Sequence, residues 1–318
     1  MQTLLFFLLL FAAGVLSAQH KTSVLIPSEF PGSEQLSKQA GALLSEANAA
    51  FQSGRKIKPG KLKLSAAAQK TLIDLWAYRP FFCSETEVNL QPIIRPDSLI
   101  ELRGIPIQIK VAAGDLSEEH LVLAFRRNGL LESVTLGLPE HQYETVLSAG
   151  LTVADLRRRQ IILDFVENFR TAYNRKDLTY LEQVFSDQAL IIVGHVVQSG
   201  EDRSDYLENN LGTQRVELIR QSKADYLSGL ERVFGKNEYI KVGFEEIEVV
   251  QHRKFQSIYG VSLLQYWYSP TYSDKGYLFL MIDFRDENQP IIHVRAWQPG
   301  KHTTPDSVIS LGDFEIIN

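Results

Sequence analysis

Apolar residues set the first rhythm of the chain. From Ser33 to Phe51, Leu36, Ala40, Leu43, Leu44, Ala47 and Phe51 recur at the spacing of one helical face, and Gly54 closes the run. Ser65 can cap a second, shorter helix reaching Trp76. The period then falls to two. Ile107, Ile109 and Val111 alternate as a half-buried strand, Leu121 to Phe125 supply another, and Asn128-Gly129 marks a tight turn into a returning strand, Leu130 to Leu138. Glu140 to Leu147 reads as a short helix.

The second half opens on a clear helix start. Thr152 caps, Asp155 follows three residues on, and Ile162, Val166, Phe169 and Tyr173 repeat along one face to a stop near Asn174. Asp177 opens another helix with Leu178, Leu181, Val184 and Phe185 inward, and Ala189 to Val193 follows as a strand ended by Gly194. Ser222 and Asp225 cap a third helix through Tyr226, Leu230, Val233 and Phe234 to Gly235. Four strands complete the pattern. In Tyr239 to Val250 the apolar parity changes near Glu245 and Glu246, which predicts a bulge. Parity changes again within Ile258 to Tyr268, so both strands are expected to bend strongly. Tyr277 to Ile282 reads as a central strand, joined by a turn at Asp286 to Gln289 to the last strand, Ile291 to Trp297.

Composition narrows the function classes. With 44% hydrophobic and 22% charged residues among 318, the chain has the balance of folded protein, and two domains are the natural expectation. A net charge of −5 offers no global field toward nucleic acid or anionic lipid. Met1 to Ala18 has the pattern of a signal peptide, too short for a relaxed membrane span, which predicts export. Cys83 is the only cysteine, so no internal disulfide forms, and its neighbours Phe81 and Phe82 suit a core residue better than a nucleophile. The basic run Arg55, Lys56, Lys58, Lys61 and Lys63 lacks interleaved aromatics and reads as a solvated loop. Arg157, Arg158 and Arg159 lie near a helix start and read as a solvated face or a contact for an acidic partner.

The stretch ILDFVENFRTAYNRKDLTYLEQVFSDQALIIVG, Ile162 to Gly194, and the closing YLFLMIDFRDENQPIIHVRAWQP, Tyr277 to Pro299, resemble the opening and the final hairpin of the nuclear transport factor 2-like, or cystatin-like cone, superfamily. The resemblance covers residues 152 to 299, and the chain as a whole resembles a set of exported Gram-negative proteins in which this module follows a smaller domain. It implies an α+β protein: a small N-terminal α+β domain, then a cone of helices on a strongly curved antiparallel sheet. The expected divisions are a signal peptide at 1–18, a helix and basic linker at 19–64, the small domain at 65–150, the cone at 151–300 and a tail at 301–318. Relatives of this fold serve as isomerases, dehydratases, ligand binders or dimerisation modules, and fold alone does not choose among them.

An enzyme of this kind needs a carboxylate or histidine in an apolar cavity and a donor for a developing oxyanion. Asp283 and His293, on the two strands of the final hairpin, are the candidate acid and base, with Tyr266 or Tyr268 as donor. The structural alternative pairs Asp283 with Arg295 across the ladder. Tyr266, Tyr268, Arg295 and Trp297 are the candidate ligand-binding residues. The density of Tyr259, Tyr266, Trp267, Tyr268, Tyr272 and Tyr277 suits either a packed sheet face or a surface that stacks on sugars or a protein. His195 reads as a strand-end polar residue, and Glu140, His141 and Glu144 as a surface cluster. No HExxH, paired-cysteine, GxGxxG, phosphate-loop or GxSxG pattern occurs, so no metal or cofactor is implied. The sequence therefore points first to a non-enzymatic cell-envelope module, periplasmic or secreted, that binds a partner protein or small ligand and can pair through its open sheet face. An isomerase- or dehydratase-like enzyme is the alternative.

Overall fold

The computed structural model describes residues 21–112, 115–150, 152–198, 214–304 and 307–314; the expected signal segment lies outside the described residues. Local capping chemistry starts most of the helices where the sequence puts them. Helix α1 (Ser33–Gln52) is followed by α2 (Ala66–Tyr78), capped by the Ser65 hydroxyl accepting from the Ala68 N–H at 3.1 Å. Helix α3 spans Glu140–Ser148. Helix α4 (Val153–Asn174) has Thr152 accepting from the Asp155 N–H, α5 (Leu178–Val184) has Asp177 accepting from Tyr180, and α6 (Lys223–Lys236) has Ser222 accepting from Asp225.

The first unit centres on three long strands, β5 (Ile100–Ala112), β6 (Asp115–Phe125) and β7 (Leu131–Gly137). Short strands β2 (Phe81–Phe82) and β4 (Ile93–Ile94) pair with β5, while β1 (Ser23–Leu25) and β3 (Glu87–Asn89) form a separate parallel pair. The reversal between β6 and β7 uses Gly129 at φ 74°, a conformation that costs glycine nothing. Helix α1 does not stand apart as an N-terminal helix with a linker. Leu36, Leu43 and Leu44 join Leu72, Leu75, Phe81, Leu102 and Phe125 in one core, and the basic run folds back on it, Arg55 pairing with Glu46 at 2.6 Å. Cys83 lies fully buried in this core.

The second unit carries a six-stranded sheet in the order β10-β11-β12-β13-β8-β9. Its strands are β8 (Phe185–Gln198), β9 (Gln214–Gln221), β10 (Lys241–Gln251), β11 (Ile258–Ser269), β12 (Tyr272–Asp283) and β13 (Ile291–Pro299). Four features differ from the sequence reading. β8 runs on through Gly194 because β9, whose apolar pattern is weak, pairs with it as far as Gln198. The sheet is mixed, since β13 and β8 run parallel. It is also not strongly curled. The bulge expected near Glu245 and Glu246 is present, with Glu246 at φ 52°, yet β11 pairs with β12 without interruption from Ile258 to Ser269. The parity change inside β11 has another cause: both faces of the sheet are covered. Tyr259, Val261 and Leu263 meet the helices with Phe169, Tyr173 and Phe234, whereas Ile258, Phe279, Met281 and Val294 pack on the other face under Ile309, Leu311 and Phe314 of the C-terminal segment.

Helix α3 packs into this second core through Tyr143 and Val146. Helix α4 serves both units. One stripe (Ile162, Val166, Phe169, Tyr173) enters the second core. A polar stripe at the same helical period seals the open edge of β7: Thr171 Oγ1 accepts from the Leu136 N–H at 3.0 Å, Glu167 Oε1 from the Leu138 N–H at 2.7 Å, and Arg170 donates to the Gly137 carbonyl at 2.8 Å. Arg79 completes the seam, donating to Asn174 Oδ1 at 2.7 Å and to the Ile240 carbonyl at 3.0 Å.

Candidate functional site

The aromatic segment does form a surface. Along β11, Gln265 and Trp267 stand opposite Phe244 and Val242 and turn toward the helices, which leaves Leu264, Tyr266 and Tyr268 on the far face beside Tyr277, Lys275 and Ser273 of β12. There they border a groove of about 760 Å³ with Tyr272 and Asp274. A second cleft of about 380 Å³, reaching Glu118, His120 and Pro139 of the first unit, is lined by the same Tyr266 and Tyr268. The two tyrosines thus stand where two grooves meet.

Polar contacts hold Tyr266, and Tyr268 stacks beside it. Tyr266 donates its hydroxyl to Glu245 Oε2 at 2.6 Å, its ring lies 4.8 Å from the Lys275 ammonium, and it stacks beside Tyr268 with centroids 6.5 Å apart. The carboxylate acceptor raises the Tyr266 phenol above the ordinary tyrosine range. Tyr272 donates to Asp274. Tyr268 and Tyr272 remain 42% and 56% exposed, a large apolar area to leave in water.

The other residues singled out by sequence are elsewhere. Asp283 is 5% exposed and accepts from the Arg285 backbone N–H at 2.9 Å and from its guanidinium Nε at 2.6 Å; His293 Nε2 lies 3.6 Å from the same carboxylate. The ladder sets Asp283 opposite Ile291 and Ile258, and neither Asp283 nor His293 is among the residues lining the grooves described above. The Asp283–Arg295 pair does not form. The ladder sets Arg295 opposite Leu280, three residues along β12 from Asp283. Its guanidinium is 6% exposed and lies over the Tyr226 ring at 4.9 Å, beside a Tyr173–Tyr226 hydroxyl contact of 2.5 Å. Burial pushes the Tyr173 hydroxyl well above its ordinary range. Trp297 is 9% exposed and belongs to the helix-covered core as well as to the edge of the larger groove.

His195 is exposed, and Glu140, His141 and Glu144 lie at the surface. The three arginines at the start of α4 are engaged: Arg157 and Arg158 reach Glu287 at 3.2 and 2.8 Å, and Arg159 reaches Asp155 in its own helix at 3.2 Å and the Val146 carbonyl of α3 at 3.4 Å. Among the described residues no group of three or more His, Cys, Asp or Glu side chains could hold a metal ion, and no helix is long and apolar enough to cross a membrane. Sequence reasoning missed the buried polar layer along α4. Its signal was the spacing of Asp164, Glu167, Thr171 and Asn174 within a helix otherwise read for its apolar stripe.

No protein-family model and no curated protein matches the chain. Solved structures are similar over about half of it. Bd1075 of Bdellovibrio bacteriovorus aligns at 19% identity and a TM-score of 0.34 over 46% of this chain, which spans 43% of that protein. An NTF2-like protein from Cytophaga hutchinsonii aligns at 16% identity and 0.33 over 45% of this chain and 98% of its own. An NTF-2 like protein from Shewanella oneidensis aligns at 13% identity and 0.30 over 43% and 96%.

Proposed function

We propose that this protein is a non-enzymatic binding module of the cell envelope, its second unit of the nuclear transport factor 2-like kind, and that the paired grooves meeting at Tyr266 and Tyr268 take an extended segment of a partner protein. The observation that carries the reading is the run of tyrosines lining two grooves that share Tyr266 and Tyr268: Tyr266 held by Glu245 and Lys275, Tyr272 by Asp274, and Tyr268 and Tyr272 left exposed. Oriented tyrosines cost little conformational entropy on binding and are the side chains most used as interface anchors. The path across two grooves suits a chain rather than a compact small molecule, and its mixed charge from Lys275, Asp274 and Glu118 offers polar partners for a peptide backbone.

An isomerase- or dehydratase-like reaction at Asp283 and His293 finds less support. Arg285 already occupies both carboxylate oxygens of Asp283. Pairing of two copies through the far sheet face is restricted by Ile309, Leu311 and Phe314, which cover the Phe279 and Val294 region. Export, periplasmic or outward, rests on the Met1 to Ala18 pattern.

The test is selection of a displayed peptide library on the mature chain with counter-selection on the Tyr266→Ala, Tyr268→Ala double variant. The expected result is a family of peptides that bind the parent and lose about tenfold or more on the variant, the scale of an aromatic anchor. Peptides that bind both chains equally, or none at all, would overturn the assignment.

A further inference from the structure

A further groove lies apart from Tyr266 and Tyr268, where helix α6 packs on β8 near β9, the last strand in the sheet order. It holds about 430 Å³ between Val193 and His195 of β8 and Tyr226, Gly229, Leu230 and Val233 of α6. Its apolar wall is left in water. Val233 is 36% exposed, and Ile219 of β9, which stands opposite Val193 and shares its face, is 40% exposed.

Nothing within the chain accounts for Gly229. In a helix interior glycine is the least favourable residue after proline, its φ here is not left-handed, and a Cβ at the position would meet no atom within 4 Å. What the missing side chain offers is close approach to the helix backbone from outside. The charges around it have an order too. Asp225, Gly229, Arg232, Val233 and Lys236 share one stripe at helical spacing, acidic toward the N-terminal end and basic toward the C-terminal end. Asp225, Arg232 and Lys236 are exposed and border the groove. Asp225 takes the Ser222 hydroxyl at 2.6 Å and Arg232 donates to the Ser228 carbonyl at 3.3 Å, but none of the three makes an ion pair among the described residues.

We propose that a second copy of this chain docks here, the two α6 helices crossing antiparallel about a two-fold axis at Gly229. The charge pattern selects that occupant. Asp225 and Val233 lie four residues to either side of Gly229, so the crossing sets Asp225 of each copy beside Arg232 of the other, with Lys236 one turn further along. Val233 of each copy then meets Tyr226 of the other on the apolar flank of the stripe. Each helix N-terminus also faces the C-terminus of its neighbour, the favourable sense for the two dipoles. Every contact is made twice, and the glycines at the centre let the helix axes come close. The pairing uses the helix-covered face of the sheet and leaves Tyr266 and Tyr268 on the far face free.

The experiment is sedimentation equilibrium of the full mature chain over a range of concentrations, for the parent, Asp225→Arg, Arg232→Asp and an equimolar mixture of these two variants. The parent is expected to dimerise reversibly. Each variant alone sets like charges against one another and should raise the dissociation constant about tenfold or more, whereas the mixture restores both charge pairs and should recover the parental value. A parent that stays monomeric, a dimer untouched by either variant, or a mixture no tighter than its components would overturn the proposal. Gly229→Leu guards against a variant that loses its fold. Leucine favours the helix itself but fills the crossing point, so pairing should be lost, and a dimer retained in Gly229→Leu would refute the crossing whatever becomes of Asp225→Arg.

Discussion

Replacing Arg170 with methionine isolates the contact that joins the two cores. The side chain is 4% exposed, and its guanidinium donates to the Val242 carbonyl at 3.0 Å, to the Gly137 carbonyl at 2.8 Å and to the Glu119 carboxylate. Methionine preserves much of the stem packing and removes every donor. Glu119, 8% exposed, is left with Lys241 at 3.6 Å as its remaining ion-pair partner. Stripping one partner from a buried pair costs about 3–5 kcal/mol, and the surviving lysine places this case near the lower end, about 3 kcal/mol. The assay is urea denaturation followed by tryptophan fluorescence, with Trp76 in the first core and Trp267 and Trp297 at the second as reporters. Adding Glu119→Gln to Arg170→Met should recover part of the loss, since the buried carboxylate charge is then removed and the Lys241 side chain it leaves behind is 23% exposed. The pH dependence has a definite sign. Burial pulls the Glu119 carboxyl upward, but Arg170 and Lys241 outweigh it and hold the folded group below the ordinary 4.5. A depressed carboxylate contributes stability above the unfolded value and loses it as pH falls through the folded one, so the gap between parent and Arg170→Met should narrow below about pH 4.5. A loss under about 1 kcal/mol, the scale of an exposed ion pair, would refute the reasoning.

Other predictions follow from single positions. Gly276→Ala would set its Cβ 2.3 Å from the Gln298 carbonyl and 2.7 Å from the Trp297 ring; a loss of about 1–3 kcal/mol in denaturation is expected, and a neutral variant would contradict the packing. Cys83 is fully buried, and burial raises its thiol pKa, so a thiol reagent should label it only as fast as the first core opens; immediate stoichiometric labelling of the native chain would show that core to be wrong. The raised folded pKa of Asp164 gives stability that is lost as pH rises above the ordinary 3.8 and through the folded value, so Asp164→Asn should gain on the parent chain with increasing pH. Melting curves across that range test it, and a variant that falls further behind at higher pH would oppose the sign.

How much of this was legible in the sequence depended on range. Ser65, Thr152, Asp177 and Ser222 cap their helices because a cap is decided within three or four residues, all of them visible in one window. The bulge at Glu245 to Glu248 was legible for the same reason. What escaped was set by distant partners. The parity change in β11 looked like a bend because nothing local says that Ile309, Leu311 and Phe314 will cover the second face. The parallel union of β13 with β8 and the existence of β9, with Leu218 and Ile219 exposed on an edge strand, needed the assembled sheet. Asp283 and Arg295 were expected to meet across the final hairpin, but the register of the assembled ladder sets Arg295 opposite Leu280 and Asp283 opposite Ile291. The tyrosine segment was visible as composition, whereas the division of Trp267 inward and Tyr266 and Tyr268 outward required the register against β10.

The proposed function places binding in the tyrosine grooves and not at the Asp283–His293 pair. The most direct measurement is the affinity of one selected peptide for the parent chain, Tyr268→Ala and Asp283→Asn. Tyr268→Ala is expected to weaken binding about tenfold while Asp283→Asn leaves it unchanged. The reverse order, with Asp283→Asn abolishing binding and Tyr268→Ala silent, would contradict it.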